Sequence, residues 1–545
     1  MRQARTDNAM QKHAIESRAL PLLQSVRAAT PPALALLSAT VLSLLSGCLP
    51  GPKYHQPAAL ATPPPPAYKE AAPPPPSPAA VATGAAPPPA ADLKEWSPAS
   101  PQDAMLRGKW WEIYNDPELN ALEEQLNIDN QNIKLFFQNL MVARALVREA
   151  RSEYYPTVTA SPSWSRSRSS SNLGNSSASF NSGQQANLIS LPLGVSWEPD
   201  LFGRIRNTVH EEQYAAQVSA ADLENERLSE QSSLAQFFFE IRGQDALQKV
   251  LNDTVEADKK ALALTQALYE TGVDNQISVV EAQSTLQSAQ AAATNVGLLR
   301  AQYEHAIATL IGQSASNFSI PVKPMTTAPP PIPIGIPSQL LERRPDIAGA
   351  ERSMASANAA IGVAYSAFFP TVTLGASGGF ESATWKHLFD IPSRVWSIGP
   401  SISQPIFNAG LTAGLSQFVS TYNADVATYR QTVLSAFQQV EDFLVAVKVY
   451  SRQIQQQQEA VASAQKALDL ELGRYQTGID PYIDVVTLQT TLLGDQQALT
   501  TLQVEQMASS VTLIQALGGG WDRTQLATPQ QVTQRPPKAD AAMVH

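Results

Sequence analysis

Along two stretches of this 545-residue chain, apolar residues recur at three- and four-residue steps: Leu223, Leu228, Leu234, Phe238 and Ile241 in one, Leu434, Phe437, Val440, Leu444 and Val447 in the other. That spacing draws an apolar stripe down one side of a helix. Only Gly243 interrupts the first stretch, over 203–271, and only Gly414 and Gly473 the second, over 410–477. At 1.5 Å per residue each predicted helix is about 100 Å long, which exceeds a globular domain and suits a coiled-coil array. Shorter helices are predicted over 117–153, 275–311, 345–368 and 482–517. Those at 275–311 and 345–368, stacked end to end, would line one long helix, with the proline-rich piece Gln313 to Arg344 bulging outward between them.

Four further segments, at about 156–165, 186–198, 370–380 and 395–406, alternate instead. Val158, Ala160, Pro162 and Trp164 share one face, with Thr157, Thr159, Ser161, Ser163 and Ser165 on the other. Leu191, Leu193, Val195 and Trp197 repeat the pattern, as do Val372, Leu374, Ala376 and Phe380, then Trp396, Ile398, Pro400 and Ile402. Apolar on one face and Ser, Thr or Gly on the other is the signature of an outer-membrane barrel strand, although a soluble sandwich also alternates. Four strands cannot close, and an open edge in lipid leaves unpaired backbone groups. The chain is therefore expected to oligomerise: three copies give twelve strands, and two give eight, too narrow for a wide channel.

The second half repeats the first. Tyr269-Glu-Thr-Gly272-Val-Asp274 returns 206 residues later as Tyr475-Gln-Thr-Gly478-Ile-Asp480, inside a longer shared stretch. A second pair, Tyr155-Pro-Thr-Val-Thr and Phe369-Pro-Thr-Val-Thr, is 214 apart, so a variable loop lies between the two markers; the Ser/Asn/Gly-rich link from Arg166 to Gln185 fits it. The repeats are assigned to 105–325 and 326–521, followed by a tail over 522–545 expected to be disordered.

Residues 1–32 carry five basic side chains against two acidic, an apolar run follows, and then Leu45-Ser-Gly-Cys48. This resembles a lipoprotein signal over 1–47 with its lipobox, in which the cysteine takes a diacylglycerol and an N-acyl chain. Cys48 is the only cysteine in the chain, which excludes an intramolecular disulfide or a thiolate metal site. Residues 48–104 hold 17 of the 41 prolines and read as an extended lipid-anchored tether. Without residues 1–47 the chain carries 33 basic and 46 acidic side chains, a formal charge of −13, so it is not a nucleic-acid binder. The histidines after Cys48 are isolated, without metal-ligand spacing, and no phosphate-cradling glycine loop is present; no catalytic residue, metal or other cofactor is assigned.

Trp197-Glu-Pro-Asp-Leu-Phe-Gly-Arg204, Leu341-Glu-Arg-Arg-Pro-Asp346, Ala359-Ala-Ile-Gly362 through Pro370 and Ala516-Leu-Gly-Gly-Gly-Trp521 together resemble the outer-membrane efflux proteins, the TolC-like family. The lipobox points to its NodT-type lipoprotein branch. The resemblance covers about 105–521 and implies an α+β homotrimer: a β-barrel sharing four strands from each chain, continued by an α-helical barrel across the periplasm. It further implies an outer-membrane channel that docks on a periplasmic adaptor and an inner-membrane pump of RND type. Two rival readings are a duct for type I protein secretion and a pore-less, lipid-anchored coiled-coil spacer.

The Tyr-x-Thr-Gly motif has a local explanation as a helical hairpin turn. Gly478 ends one helix in the left-handed region, Asp480 caps the next and Pro481 suits its first turn; Gly272 and Asp274 take the same places in the first copy. By the resemblance these turns form the periplasmic tip, where the channel closes and the adaptor binds. Glu281 and Asp484 would add negative charge there, and Arg474 and Tyr475, with Tyr269 at the equivalent position, would hold adjacent hairpins together. Thr487 stands where relatives often carry an acid, so Ile483 and Val486 are expected to form an apolar constriction in place of an ionic gate. Trp197, Asp200 and Gly203 are assigned to a strand-to-helix junction.

Overall fold

The computed structural model describes residues 51–60, 63–65, 67–70, 108–168, 170, 185–325, 328–335 and 337–534. The signal over 1–47, Cys48 and most of the Arg166–Gln185 link lie outside the described residues. Two helices dominate, α3 (Arg204–Glu270) and α7 (Ala409–Gln476). Each doubles back through a short turn into α4 (Gln276–Leu310) or α8 (Tyr482–Ala516). α6 (Pro345–Ser366) lies on the first half of α3, where Ser356 Oγ donates to the Glu211 carbonyl and Gly362 sits against Asn207. α4 and α6 thus share the length of α3 between them. No helix among the described residues is long and apolar enough to cross a membrane.

The single helix expected over 117–153 is two, α1 (Pro117–Asp129) and α2 (Gln131–Ser152). Asn130 breaks it: its ψ is 128°, its side-chain oxygen caps Ile133 N–H at 2.9 Å, and its amide donates to Glu230 and to the Leu310 carbonyl. A polar side chain that satisfies a new helix start and two acceptors on neighbouring helices outweighs continuation.

The strands form one antiparallel sheet in the order β1 (Thr157–Ala160), β3 (Gln185–Trp197), β4 (Thr371–Ser382), β5 (Arg394–Ser403), with β2 (Ser163–Arg168) also on β3. The strand expected at 156–165 is therefore interrupted, and it runs on to Arg168, so Arg166 belongs to the strand and not to the loop. The interruption keeps register, because Ala160 faces Leu193 before it and Ser163 faces Ser190 after it. Two prolines fall in this gap, Pro162 opposite Leu191 and Pro192 opposite Ser161, and neither has an N–H to donate to the ladder. At the other edge β5 stops at Ser403, short of the expected 406.

Pairing collects the alternating positions on one face. Val158 faces Val195, Val195 faces Ala376 and Ala376 faces Ile398. This face is apolar and largely bare, with Trp396 79%, Ile398 76% and Ile402 70% exposed, although Ile189 is buried. The opposite face carries Thr157, Ser196, Gly375 and Gly399 at one level, and the Ser377 and Ser397 hydroxyls pair across it at 2.8 Å. Trp197 and the residue facing Trp164, Ile189, stand eight positions apart on β3, about 27 Å along the strand, comparable with the lipid-facing band of an outer-membrane barrel.

Around mid-height Trp110, Trp111, Leu119, Leu234, Phe238 and Ile514 form a buried core. A buried charge cluster pins the proline-rich segment to it: Asp245 accepts from Arg300 Nε at 2.7 Å and from Lys323 N–H at 2.8 Å, and Arg242 donates to the Pro321 carbonyl and to Glu118. That segment also carries the short α5 (Pro337–Arg343).

Two segments read as unstructured are docked on this region. Within 48–104, Tyr54 Oη donates to Glu351 at 2.6 Å, Tyr68 is buried against α6 and α7, and the Lys69 and Glu70 N–H groups donate to the Glu441 carboxylate. Two aromatic rings give this proline-rich stretch an apolar grip that its composition conceals. Within 522–545, α9 (Pro529–Thr533) is closed by a capping box of Thr528 and Gln531, and Val532 is buried beside Val147 and Ala216.

Candidate functional site

The two helical turns far from the sheet share one backbone design. In the first, Gly272 (φ 75°) follows α3, and Val273 N–H reaches back to the Leu268 carbonyl at 2.9 Å. In the second, Gly478 (φ 71°) follows α7, and Ile479 N–H reaches the Arg474 carbonyl at 3.1 Å. This six-to-one closure needs a left-handed residue, which glycine adopts without a Cβ clash.

The starts of the outgoing helices differ. Asn275 is the cap of α4, accepting from Ile277 and Ser278 N–H. Pro481 occupies the cap position of α8 and offers no side chain to it, so Asp480 is not the cap expected of it. The Asp480 carboxylate turns back onto the Arg474 guanidinium within its own hairpin, which holds the carboxyl below its usual range. Within the single chain Arg474 is thus engaged by its own hairpin and not by the first.

Tyr475 does. Its Oη donates to Asp274 Oδ2 at 2.7 Å, and Thr265 Oγ1 lies 3.1 Å away, so one phenol from α7 is tied to α3 and to the first turn. Burial pushes the phenol up to about 12, with the Asp274 carboxylate adding to the rise. Burial also raises the Asp274 carboxyl, but hydrogen bonds from Tyr475, Asn275 N–H and Ser278 outweigh it and hold the group below its usual value. Tyr482, the first residue of α8, packs its ring 5.2 Å from that of Tyr475. Tyr269, the repeat-one equivalent of Tyr475, is 46% exposed and takes no such part.

Asp484 and Thr487 face solvent and Glu281 is half-buried. Ile483 is half-exposed, whereas Val486 packs partly into the inter-hairpin core of Ala261, Ala282, Leu468 and Val485, so the two do not form one exposed apolar step in a single chain. The exposed apolar tip consists instead of Val273, Ile277, Val280, Ile479 and Ile483. Thr265 and Ser278, both partners of the Tyr475–Asp274 tie, carry no motif that sets them apart in the sequence.

At the other end of α3, Gly203 (φ 74°) precedes the helix, and the Asp200 carboxylate accepts from Ile205 and Arg206 N–H at 3.2 and 3.0 Å while pairing with the Arg206 side chain. Trp197 Nε1 donates to the Tyr154 carbonyl at 3.0 Å. Phe202 and Phe369 stack at 5.0 Å, locking the ends of the two repeats together. These contacts fix how the helices leave the sheet and assign no chemistry. Among the described residues no group of three or more His, Cys, Asp or Glu side chains is placed to hold a metal.

A sequence model described as "Outer membrane efflux protein" matches residues 122–313 and 336–519. The chain is 32% identical over 447 residues to the probable efflux pump outer membrane protein TtgC of Pseudomonas putida, covering 81% of this chain and 92% of that protein. It is 33% identical over 419 residues to the solvent efflux pump outer membrane protein SrpC of Pseudomonas putida, covering 76% and 88%. Among solved structures, the outer-membrane channel OprN superposes with a TM-score of 0.74 at 26% identity, covering 87% of this chain and all of that one.

Proposed function

This chain belongs to the outer membrane efflux protein family, and from that premise we propose that three copies form the passive duct of a tripartite efflux system. It is an outer-membrane channel component with an α+β, TolC-like fold. The observation that carries the further reading is the bare apolar face of a sheet whose two outer strands have no partner among the described residues. Unpaired strand edges are not tolerated in hydrocarbon, and three such sheets joined edge to edge give a twelve-stranded barrel. Helices about 100 Å long then carry the duct through the periplasm. Acyl chains on Cys48 hold the chain to the outer-membrane lipid, and Tyr54 and Tyr68 dock the segment that follows onto the body.

The tips meet a periplasmic adaptor, and an inner-membrane pump of RND type supplies energy and selects the substrate. The chain performs no chemistry of its own and needs no cofactor. Relatives named as efflux components favour this reading over type I secretion, and phased, lipid-compatible strands in both repeats argue against a pore-less spacer.

The test uses the single cysteine. With Cys48 acylated, Ile479→Cys at the exposed tip is the only free thiol, and cross-linking in intact cells captures its neighbour. An adaptor of a drug or metal pump supports the proposal. An adaptor of a protein exporter moves the chain to secretion, and efficient labelling with no adaptor overturns the docking tip.

A further inference from the structure

Between the tip and mid-height the two hairpins part around a cavity of about 470 Å³, walled by α3, α7 and α8. Leu264, Leu468, Leu472 and Leu492 give it an apolar body, and Asp258 of α3 and Gln489 of α8 also line it. The volume falls within the range that accommodates small organic ligands.

Asp258 is 2% exposed, and among the described residues neither carboxylate oxygen has a hydrogen-bond partner; the Gln489 amide oxygen is equally unpartnered. Tyr482 Oη adds a fourth buried oxygen without a partner near the same carboxylate. Lys260, at the rim, is exposed and forms no ion pair with Asp258. Its position two residues along α3 turns it roughly 200° around the helix from Asp258. A buried carboxylate without a partner is costly, and two unmet acceptor groups facing an apolar chamber define their complement: a positively charged donor carrying a hydrocarbon body.

We propose that this cavity binds a small organic monocation with an apolar body, an alkyl- or arylammonium, whose N–H groups are held by the Asp258 carboxylate and the Gln489 carbonyl while its hydrocarbon lies against the leucines. The site is not the duct. It lies between hairpins of one chain, so an occupant touches α3 on one side and α7 and α8 on the other, and its binding depends on how far the hairpins stand apart.

The probe is benzylammonium, with benzyl alcohol as its neutral isostere, titrated calorimetrically at pH 7.5 into the full-length protein in detergent against a micelle blank. Saturable binding of one benzylammonium per chain is expected, at least about tenfold tighter than benzyl alcohol and weakened at least about tenfold by Asp258→Asn, the worth of a hydrogen bond to a charged group. Glu256→Gln removes an equal charge from the same helix outside the cavity and leaves binding unchanged. Leu492→Trp places bulk against the apolar wall and weakens binding, with an unchanged melting midpoint as the check on folding. No saturable binding, equal affinity for the alcohol, or full affinity in Asp258→Asn overturns the proposal. Transport is not part of the readout, so this result stands apart from that of the adaptor capture.

Discussion

Tyr475 of the second hairpin donates its phenol to Asp274 of the first at 2.7 Å, and among the described residues the sequence-equivalent Tyr269 makes no matching bond to Asp480, which is taken up by Arg474. Two copies of one motif thus meet in one asymmetric tie. Opening the tip by moving one hairpin away from the other must break it.

Tyr475→Phe keeps the buried ring and removes only that donor, leaving the Asp274 carboxylate short of one partner. A hydrogen bond to a charged group is worth about 1.5–3 kcal/mol, so the equilibrium between closed and parted hairpins shifts roughly 10- to 100-fold towards opening. Single-channel conductance in planar bilayers measures it as a rise in open time. Tyr269→Phe, half-exposed, leaves the open time at the wild-type value.

Two left-handed glycines separate backbone strain from collision. A Cβ at Gly272 meets nothing within 4 Å, whereas at Gly518 (φ 95°) it lies 1.9 Å from the Arg343 carbonyl oxygen. Gly272→Ala costs only the left-handed strain, about 1–2 kcal/mol. Gly518→Ala adds a backbone clash and exceeds about 3 kcal/mol. Melting midpoints of the two variants rank them, with Gly518→Ala much the lower.

Much of this architecture is written in periodicity, because a 3.6-residue stripe and a 2-residue alternation persist however the elements are arranged. The register that puts Val158, Val195, Ala376 and Ile398 on one face follows from that alternation. What periodicity cannot carry is choice among equivalent partners. The shared motif does not separate Tyr475 from Tyr269; the difference arises when Arg474, whose counterpart is Leu268, takes up Asp480 and when Thr265 and Asp274 are brought up from 210 and 201 positions away. Asn130 breaks a helix for acceptors 100 and 180 residues distant, and Tyr54 finds Glu351 at a separation of 297. Asp258 looks like any polar residue on a long helix until α7 and α8 bury it.

Asp245 is the point on which the mid-height collar turns, since it accepts from Arg300 and Lys323 N–H and lies 3.6 Å from Arg242. Asp245→Ala leaves two guanidinium groups, one of them 4% exposed, without their shared carboxylate. Losing one partner of a buried ion pair costs about 3–5 kcal/mol. Limited proteolysis of the segment around 320–325 should accelerate sharply in this variant. Removing Glu124 from its exposed pair with Lys109 should change nothing measurable.

The pH dependence of stability carries two opposite signatures from the same pair of hairpins. Burial raises the Asp258 carboxyl to about 6 in the folded chain. Unfolded it titrates near 4. Between these values the folded state holds the extra proton, so this group's contribution is full below about pH 4 and is lost as pH rises through about 6. Asp274 has the opposite sense: held below its usual value, it stabilises above about pH 4 and its contribution disappears as pH falls further. The two are separated by subtraction. The melting midpoint of Asp258→Asn minus wild type should climb from pH 4 to pH 7, while that of Asp274→Asn minus wild type should be most negative at neutral pH and shrink below pH 4. A flat difference for Asp258→Asn would mean that the carboxyl titrates alike in the folded and unfolded chain, and its burial between the hairpins would then carry no electrostatic cost.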